Sequence, residues 1–194
     1  MSKVGILFIS IFFLVCLAAL SCAQSATPEG TVPPDSGQAA LMITSTAFTN
    51  GADIPIKYTC HGQNISPALN WSGSPAGTAS FALIMDDTDA VYTHWVIFNL
   101  PPDARGLPEA VPKDETLANG ALQGKTGSGG IGYPTGYFGP CPPKGSPHHY
   151  RFTVYALDTL LDLAAGASKD QLLQAMQGHI LGQAQLVGIY QRNS

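Results

Sequence analysis

Charged side chains are scarce in this sequence. Asp, Glu, Lys and Arg make up 11% of its 194 residues, whereas they make up about a quarter of a typical soluble protein. The 9 Lys and Arg residues form no cluster, and the formal net charge is −4. Because a nucleic-acid-binding surface requires concentrated positive charge, this composition argues against nucleic acid as a partner.

Signature motifs of several enzyme classes are also lacking. The "GKT" at 124–126 follows Gly120 with three intervening residues, where a phosphate-binding P-loop needs four, and a glycine-rich stretch follows instead of a helix. No serine lies in the G-x-S-x-G pattern of a hydrolase nucleophile. We therefore predict no cofactor, and a serine hydrolase gains no support from these motifs.

Helical patterns are few, and strand patterns are many. One helix is predicted after Ser168, because Gln171 completes a capping box with it. Alternating or apolar runs bounded by turn residues predict seven strands, at 41–48, 54–60, 69–73, 79–87, 93–101, 151–158 and 183–192. The fold class predicted is mostly β: an antiparallel β-sandwich or barrel with a few small peripheral helices.

The chain begins with the pattern of an export signal. A short basic start precedes an apolar run from Val4 to Leu20, which is also just long enough to cross a bilayer uncut. The following "AALSC" resembles the lipobox of bacterial lipoproteins and predicts lipidation of Cys22; cleavage after Ser25 is the alternative. The predicted organisation is a signal segment at 1–22, a flexible linker at 23–39 and a folded domain at 40–194.

Two cysteines, Cys60 and Cys141, remain in the predicted domain. An exported compartment permits disulfides, so we predict that these two are paired. Their spacing carries no geometric information, and two buried thiols are the alternative.

The stretch "GPCPPKGSPHHY" at 139–150 holds four prolines, which exclude a helix or a central strand. We interpret it as a rigid loop that leads into a strand. Strand alternation then places His148 and Tyr150 on one face and His149 on the other.

Acidic residues and a histidine flank the end of the apolar run at 79–87. Asp86, Asp87 and Asp89 lie at or after its end, and His94 opens the next strand. A carboxylate there can hold an imidazole charged, although Asp87 and Asp89 can equally cap their own turn. A zinc site formed by Asp87, His94 and one loop histidine is a further hypothesis based on ligand type.

Several motifs together resemble the phosphatidylethanolamine-binding proteins, and most closely their bacterial and archaeal Raf kinase inhibitor-like (YbhB/YbcL) branch. They are "YTCHGQNISPALNW", "DDTDA" with "THWVIFNLP", "LPEAVPKD" and "GPCPPKGSPHHYRFTVYALD", in that order. The similarity spans about residues 42–191. It implies an antiparallel β-sandwich with an anion pocket and small helices.

The resemblance also implies site residues. Asp87, His94, His148 and Tyr150 would line the pocket, and the loop residues Cys141 and Pro143 would border it. Three positions depart from the family pattern: Thr88 and Val91 replace prolines, and His61 replaces an aspartate.

The function expected is that of an exported binding protein, held at the membrane by a lipid anchor or free in the periplasm or outside the cell. Its ligand would be a small anion, such as phosphate or a phospholipid head group. No metal is predicted, catalysis is left open, and no protein partner is identified. The alternatives are an inhibitor or interaction module acting on another protein, and a hydrolase or metal site that uses the Asp/His cluster.

Overall fold

The computed structural model describes residues 40–127 and 134–193. The predicted signal segment, the lipidation site Cys22 and the linker at 23–39 lie outside these residues. Within the described ranges, no helix is both long enough and apolar enough to cross a membrane.

Two antiparallel sheets form the domain, with strands numbered in chain order. The smaller sheet has the order β1–β2–β5 and consists of Met42–Ser45, Leu69–Ser72 and Gly106–Leu107. The larger has the order β6–β4–β3–β7–β8, where β3 is Ser80–Asp87, β4 is Tyr92–Leu100, β6 is Leu122–Gln123, β7 is His148–Leu157 and β8 is Ile180–Tyr190. The expected antiparallel β-sandwich is therefore confirmed.

Strand β3 lies at the centre of the larger sheet, and all of its residues are buried. Phe81, Leu83 and Met85 face the core that also contains Trp71 of the smaller sheet. The alternate residues Ala82 and Ile84 face a second core on the opposite side. Because both faces are covered, β3 appears in the sequence as an almost continuous apolar run.

The second core is covered by the helix α1, Lys169–Ala175. Ser168 is its N-cap: the Ser168 hydroxyl accepts from the Gln171 N–H, and Gln171 Oε1 accepts from the Ser168 N–H. The predicted capping box is confirmed. Leu172 of the helix and Met176, its C-cap, are completely buried in this second core.

One predicted strand is wrong. Residues 54–60 contain a 3-10 helical turn at Ile56–Tyr58, closed by the Tyr58 N–H donating to the Pro55 carbonyl. Proline's fixed φ suits the start of such a turn. Apolar residues alternate along this segment, but only Ile54 and Tyr58 are buried, whereas Ile56 is exposed.

Candidate functional site

The candidate site lies where β3 ends, because three strands meet there. In the larger sheet Asp87 is paired with Tyr92 of β4 on one side and with Tyr150 of β7 on the other. The first residues of β7 and the end of β3 are thus neighbours although they are separated by 61 positions. The register of β3 with β7 therefore brings Asp87 of the "DDTDA" motif next to the residues that follow the proline loop.

Asp87 has two structural roles at this point. Its Oδ1 accepts hydrogen bonds from the N–H groups of Asp89 and Ala90 at 2.9 and 3.1 Å, which holds the turn after β3. Its Oδ2 lies 2.7 Å from Nδ1 of His148. Since an ionised carboxylate only accepts, His148 donates from Nδ1. Nε2 is left as the ring nitrogen available to a ligand.

His94 is oriented in a similar way but by the backbone. Its Nδ1 lies 2.7 Å from the Phe138 carbonyl oxygen and must donate to it, which again leaves Nε2 for a ligand. Only 3% of His94 is exposed. Burial lowers the pKa of His94, although the Phe138 carbonyl and the charge of Asp87 act in the opposite direction. In the protein alone the neutral imidazole is therefore favoured, which differs from the expectation that Asp87 keeps it charged.

The Tyr150 ring packs against the rings of both histidines. Its ring is completely buried, with the His94 ring edge-on at 5.1 Å and the His148 ring stacked at 6.4 Å between centroids. Its hydroxyl is buried and has no hydrogen bond of normal geometry within the described residues. Burial, reinforced by the nearby Asp87 carboxylate, raises the pKa of Tyr150.

Asp87, His94 and His148 border a cleft of ≈ 270 Å³. Its lining consists of Asp87, Ala90, Tyr92, His94, Phe138, Cys141, Pro142, Pro143 and His148. Five of the six residues predicted as a ligand site line this cleft; the sixth, Tyr150, is buried and contacts the rings of His94 and His148. The lining combines a carboxylate and two imidazoles with aromatic and proline side chains.

Four of the nine lining residues were not predicted from the sequence, and two of them, Tyr92 and Phe138, contact His94. Tyr92 packs its ring 4.7 Å from that of His94 and could have been found, since residues two apart on a strand share a face. Phe138 stacks on His94 at 6.1 Å and also supplies the carbonyl that orients it. No pattern in the sequence links Phe138 to a residue 44 positions away.

The proline loop is fixed against the 3-10 turn. Cys60 and Cys141 form a disulfide, as predicted, with their Cα atoms 5.4 Å apart. The Cys60 N–H donates to the Pro140 carbonyl, and the Gly139 N–H donates to Asn64 Oδ1 at 2.7 Å. Glycine is required at 139 because a Cβ there would lie 2.2 Å from the Tyr58 carbonyl oxygen.

His149 lies on the opposite face of β7 and does not line the cleft. Its Nδ1 lies 2.9 Å from Asp89 Oδ2, and the side chains of both residues are more than 40% exposed. Asp89 also accepts from the His149 N–H at 2.7 Å. Asp89 is therefore a surface partner of His149, whereas Asp87 serves the cleft.

The zinc site hypothesised for Asp87, His94 and a loop histidine is wrong, because the ligand atoms of these residues do not all lie within 4.8 Å of one another. In the part of the chain that the structure describes, Cys60, His61 and Cys141 are the one group of at least three His, Cys, Asp or Glu residues whose ligand atoms all lie within 4.8 Å of one another. The described lining of the cleft also includes no serine or threonine that could serve as a hydrolase nucleophile.

Comparison with known proteins decides the family. The family model described as "Phosphatidylethanolamine-binding protein" matches residues 44–191. The chain belongs to the phosphatidylethanolamine-binding protein family. This match includes all of the cleft residues and both cysteines of the disulfide.

Relatives and a solved structure place this phosphatidylethanolamine-binding family member in the bacterial and archaeal branch. It is 54% identical to a UPF0098 protein of Methanothermobacter thermautotrophicus over 78% of this chain and 99% of the relative. It is 39% identical to a Mycobacterium tuberculosis protein, LppC, whose name includes the word lipoprotein, over 87% of this chain and 80% of LppC. The crystal structure of Escherichia coli YbcL superposes with a TM-score of 0.72 at 32% identity, covering 80% of this chain and all of YbcL.

Proposed function

We propose that this phosphatidylethanolamine-binding family protein is an exported binding protein that captures a small anion, either phosphate or a phospholipid head group, in the cleft between His94 and His148. The observation that carries the proposal is the shared orientation of these two imidazoles. Each uses Nδ1 to bind a protein acceptor, and both line the same cleft. Each therefore offers Nε2 to one ligand.

Protonation at Nε2 turns each ring into a charged donor. A hydrogen bond from an imidazolium to an anionic oxygen is charge-assisted and about twice as strong as a neutral one. Because the pKa of His94 is lowered by burial, anion binding near neutral pH is coupled to uptake of a proton at His94. Asp87 keeps the His148 ring in the required orientation, because its Oδ2 lies 2.7 Å from Nδ1 of that ring.

The size and lining of the cleft favour a head group over a whole lipid. A volume of ≈ 270 Å³ lies just below the roughly 300–1,000 Å³ of typical small-molecule sites. Its aromatic and proline side chains suit the methylene groups attached to a phosphate, such as those of ethanolamine or glycerol. These side chains are Tyr92, Phe138, Pro142 and Pro143.

Export and a lipid anchor are supported by independent observations. The apolar run and "AALSC" at the start of the chain have the pattern of a lipoprotein signal. LppC, which is named as a lipoprotein, aligns over 87% of this chain. The disulfide suits an oxidising compartment.

Calorimetric titration tests the proposed function. Inorganic phosphate, phosphorylethanolamine and glycerophosphoethanolamine are titrated into the domain, and ethanolamine serves as a control that lacks the anion. We expect the three phosphates to bind with one site per chain and ethanolamine not to bind. Failure of all three phosphates to bind at millimolar concentration would contradict an anion cleft. A preference for the ethanolamine esters would identify the head group as the ligand.

A further inference from the structure

The carbonyl that orients His94 belongs to the peptide group between Phe138 and Gly139. This carbonyl accepts from Nδ1 of His94 at 2.7 Å. The N–H of the same peptide group donates to Oδ1 of Asn64, also at 2.7 Å. Because the N–H and the C=O of a trans peptide point in opposite directions, the peptide group is held between Asn64 on one side and His94 on the other.

Asn64 has a backbone conformation that few residues other than glycine adopt. Its φ is 55°, in the left-handed region, where asparagine is several-fold enriched. Glycine would adopt this φ more readily, but it would leave the Gly139 N–H without its acceptor. Gly139 is buried, and a buried N–H without a partner costs free energy. Asparagine therefore satisfies both the conformation of position 64 and the hydrogen bond to the peptide group.

The segment that carries Asn64 is itself held against the proline loop. The Cys60 N–H donates to the Pro140 carbonyl at 3.1 Å, and the disulfide adds a covalent link between the two segments. The Gln63 N–H donates to the Lys57 carbonyl at 3.0 Å, which closes the turn just before Asn64. The Asn64 amide thus lies on a fixed backbone and can fix the peptide group in turn.

We propose that Asn64 is a positioning residue of the anion cleft, which fixes the tautomer and the ring orientation of His94 through the peptide group between Phe138 and Gly139. The hydrogen bond to Asn64 polarises this peptide group and makes its carbonyl a stronger acceptor for the His94 Nδ1–H. In the imidazolium that binds an anion, the same carbonyl stabilises the proton at Nδ1. The effect on binding rests on the proposed function, whereas the effect on the tautomer needs no ligand.

Asparagine-to-glycine substitutions at two positions test the proposal. Asn64→Gly removes the acceptor but tolerates the positive φ. Asn64→Asp keeps an acceptor oxygen and should preserve the tautomer of the parent. Asn99→Gly is the matched control, because Asn99 also has a positive φ, of 56°, and its amide pairs with the backbone of Leu161 instead of lining the cleft.

The tautomer of His94 is read from NMR spectra of ligand-free protein with isotopically labelled histidine, at about pH 8, where an ordinary histidine is neutral. The spectrum of His94→Gln assigns the His94 signals. The parent, Asn64→Asp and Asn99→Gly should carry the proton on Nδ1, whereas Asn64→Gly should show a mixture with the Nε2–H form. In calorimetry, Asn64→Gly should bind glycerophosphoethanolamine about two- to ten-fold more weakly, since a ring that moves before binding must then be ordered.

The parent protein provides a test that requires no substitution. The Gly139 N–H should exchange slowly with solvent although it lies outside the strands, because Asn64 accepts from it. Circular dichroism shows whether each variant is folded. Fast exchange of this N–H, the parent's tautomer or affinity in folded Asn64→Gly, or the same tautomer change in Asn99→Gly would each overturn the proposal. A tautomer change confined to Asn64→Gly, in a protein that binds no phosphate, would support the positioning role and contradict the proposed ligand.

Discussion

Replacing His148 by alanine should weaken anion binding far more than replacing its neighbour His149. His148 lines the cleft with 16% of its side chain exposed, and its Nδ1 is held by Asp87. His149 has 46% of its side chain exposed and pairs with Asp89 on the other face of β7. The two substitutions remove the same chemical group from adjacent positions, so each is the natural control for the other.

The expected loss follows from the bond that His148 makes. A hydrogen bond to a charged group is worth about 1.5–3 kcal/mol, so His148→Ala should reduce affinity about ten- to a hundred-fold. Removal of the imidazole also leaves Asp87 Oδ2 without its partner beside the anion, which favours the upper part of that range. His149→Ala removes an exposed ion pair worth roughly 0–1 kcal/mol of stability and should change affinity less than about two-fold.

Calorimetric titration of glycerophosphoethanolamine into the parent and both variants measures these affinities. Thermal unfolding of each variant shows whether the fold survives the substitution. Equal losses from His148→Ala and His149→Ala, with both variants folded, would refute the argument from strand alternation. A loss confined to His149→Ala would place the ligand on the opposite face of β7.

Four further predictions rest on the described contacts and on the sequence of the signal segment. Because burial lowers the pKa of His94 in the folded protein, the unfolded chain takes up a proton at His94 first as the pH falls. The free energy of unfolding should therefore fall as the pH drops below about 6.5. Denaturant titrations should show a weaker pH dependence for His94→Gln. Glycerophosphoethanolamine, whose charge stays constant over this pH range, should bind more tightly as the pH falls. Calorimetry in buffers of different ionisation enthalpy should detect the uptake of a proton on binding. Equal affinity from about pH 8 to about pH 5.5 would contradict the role of His94. The disulfide between Cys60 and Cys141 closes a loop with a sequence separation of 81. Replacing both cysteines by serine should lower the free energy of unfolding by about 4 kcal/mol, measured in guanidinium. A change below about 1 kcal/mol would show that the disulfide does not restrain the loop. The substitution Cys22→Ser should release the protein from membranes in a cell fractionation, whereas a membrane-bound and uncleaved variant would indicate an uncut anchor.

The sequence predicts most of the large sheet because its signals are local. The run at 79–87 is apolar except for Ser80 and the two aspartates that end it, and β3 is buried on both faces over Ser80–Asp87. Ser168 and Gln171 identify the start of α1 by a capping pattern that spans four residues. The strand predicted at 54–60 is wrong because the residues alternate as in a strand, whereas Pro55 starts a 3-10 turn within them.

The site is predictable to the extent that it depends on alternation within a strand and on the family resemblance. Alternation along β7 separates His148 from His149, and the structure places only His148 in the cleft. The hydrogen bond from His94 to the Phe138 carbonyl joins residues 44 positions apart and has no sequence signal. The lowered pKa of His94 is likewise a consequence of burial in the folded domain.

A crystal structure of the domain with glycerophosphoethanolamine at saturating concentration would show whether the cleft binds an anion. We expect a phosphate group in the cleft with its oxygens within hydrogen-bond distance of Nε2 of both His94 and His148. The Nδ1 contacts of these rings to Phe138 and Asp87 should remain. A phosphate bound elsewhere, or one that contacts neither imidazole, would contradict the proposed anion site.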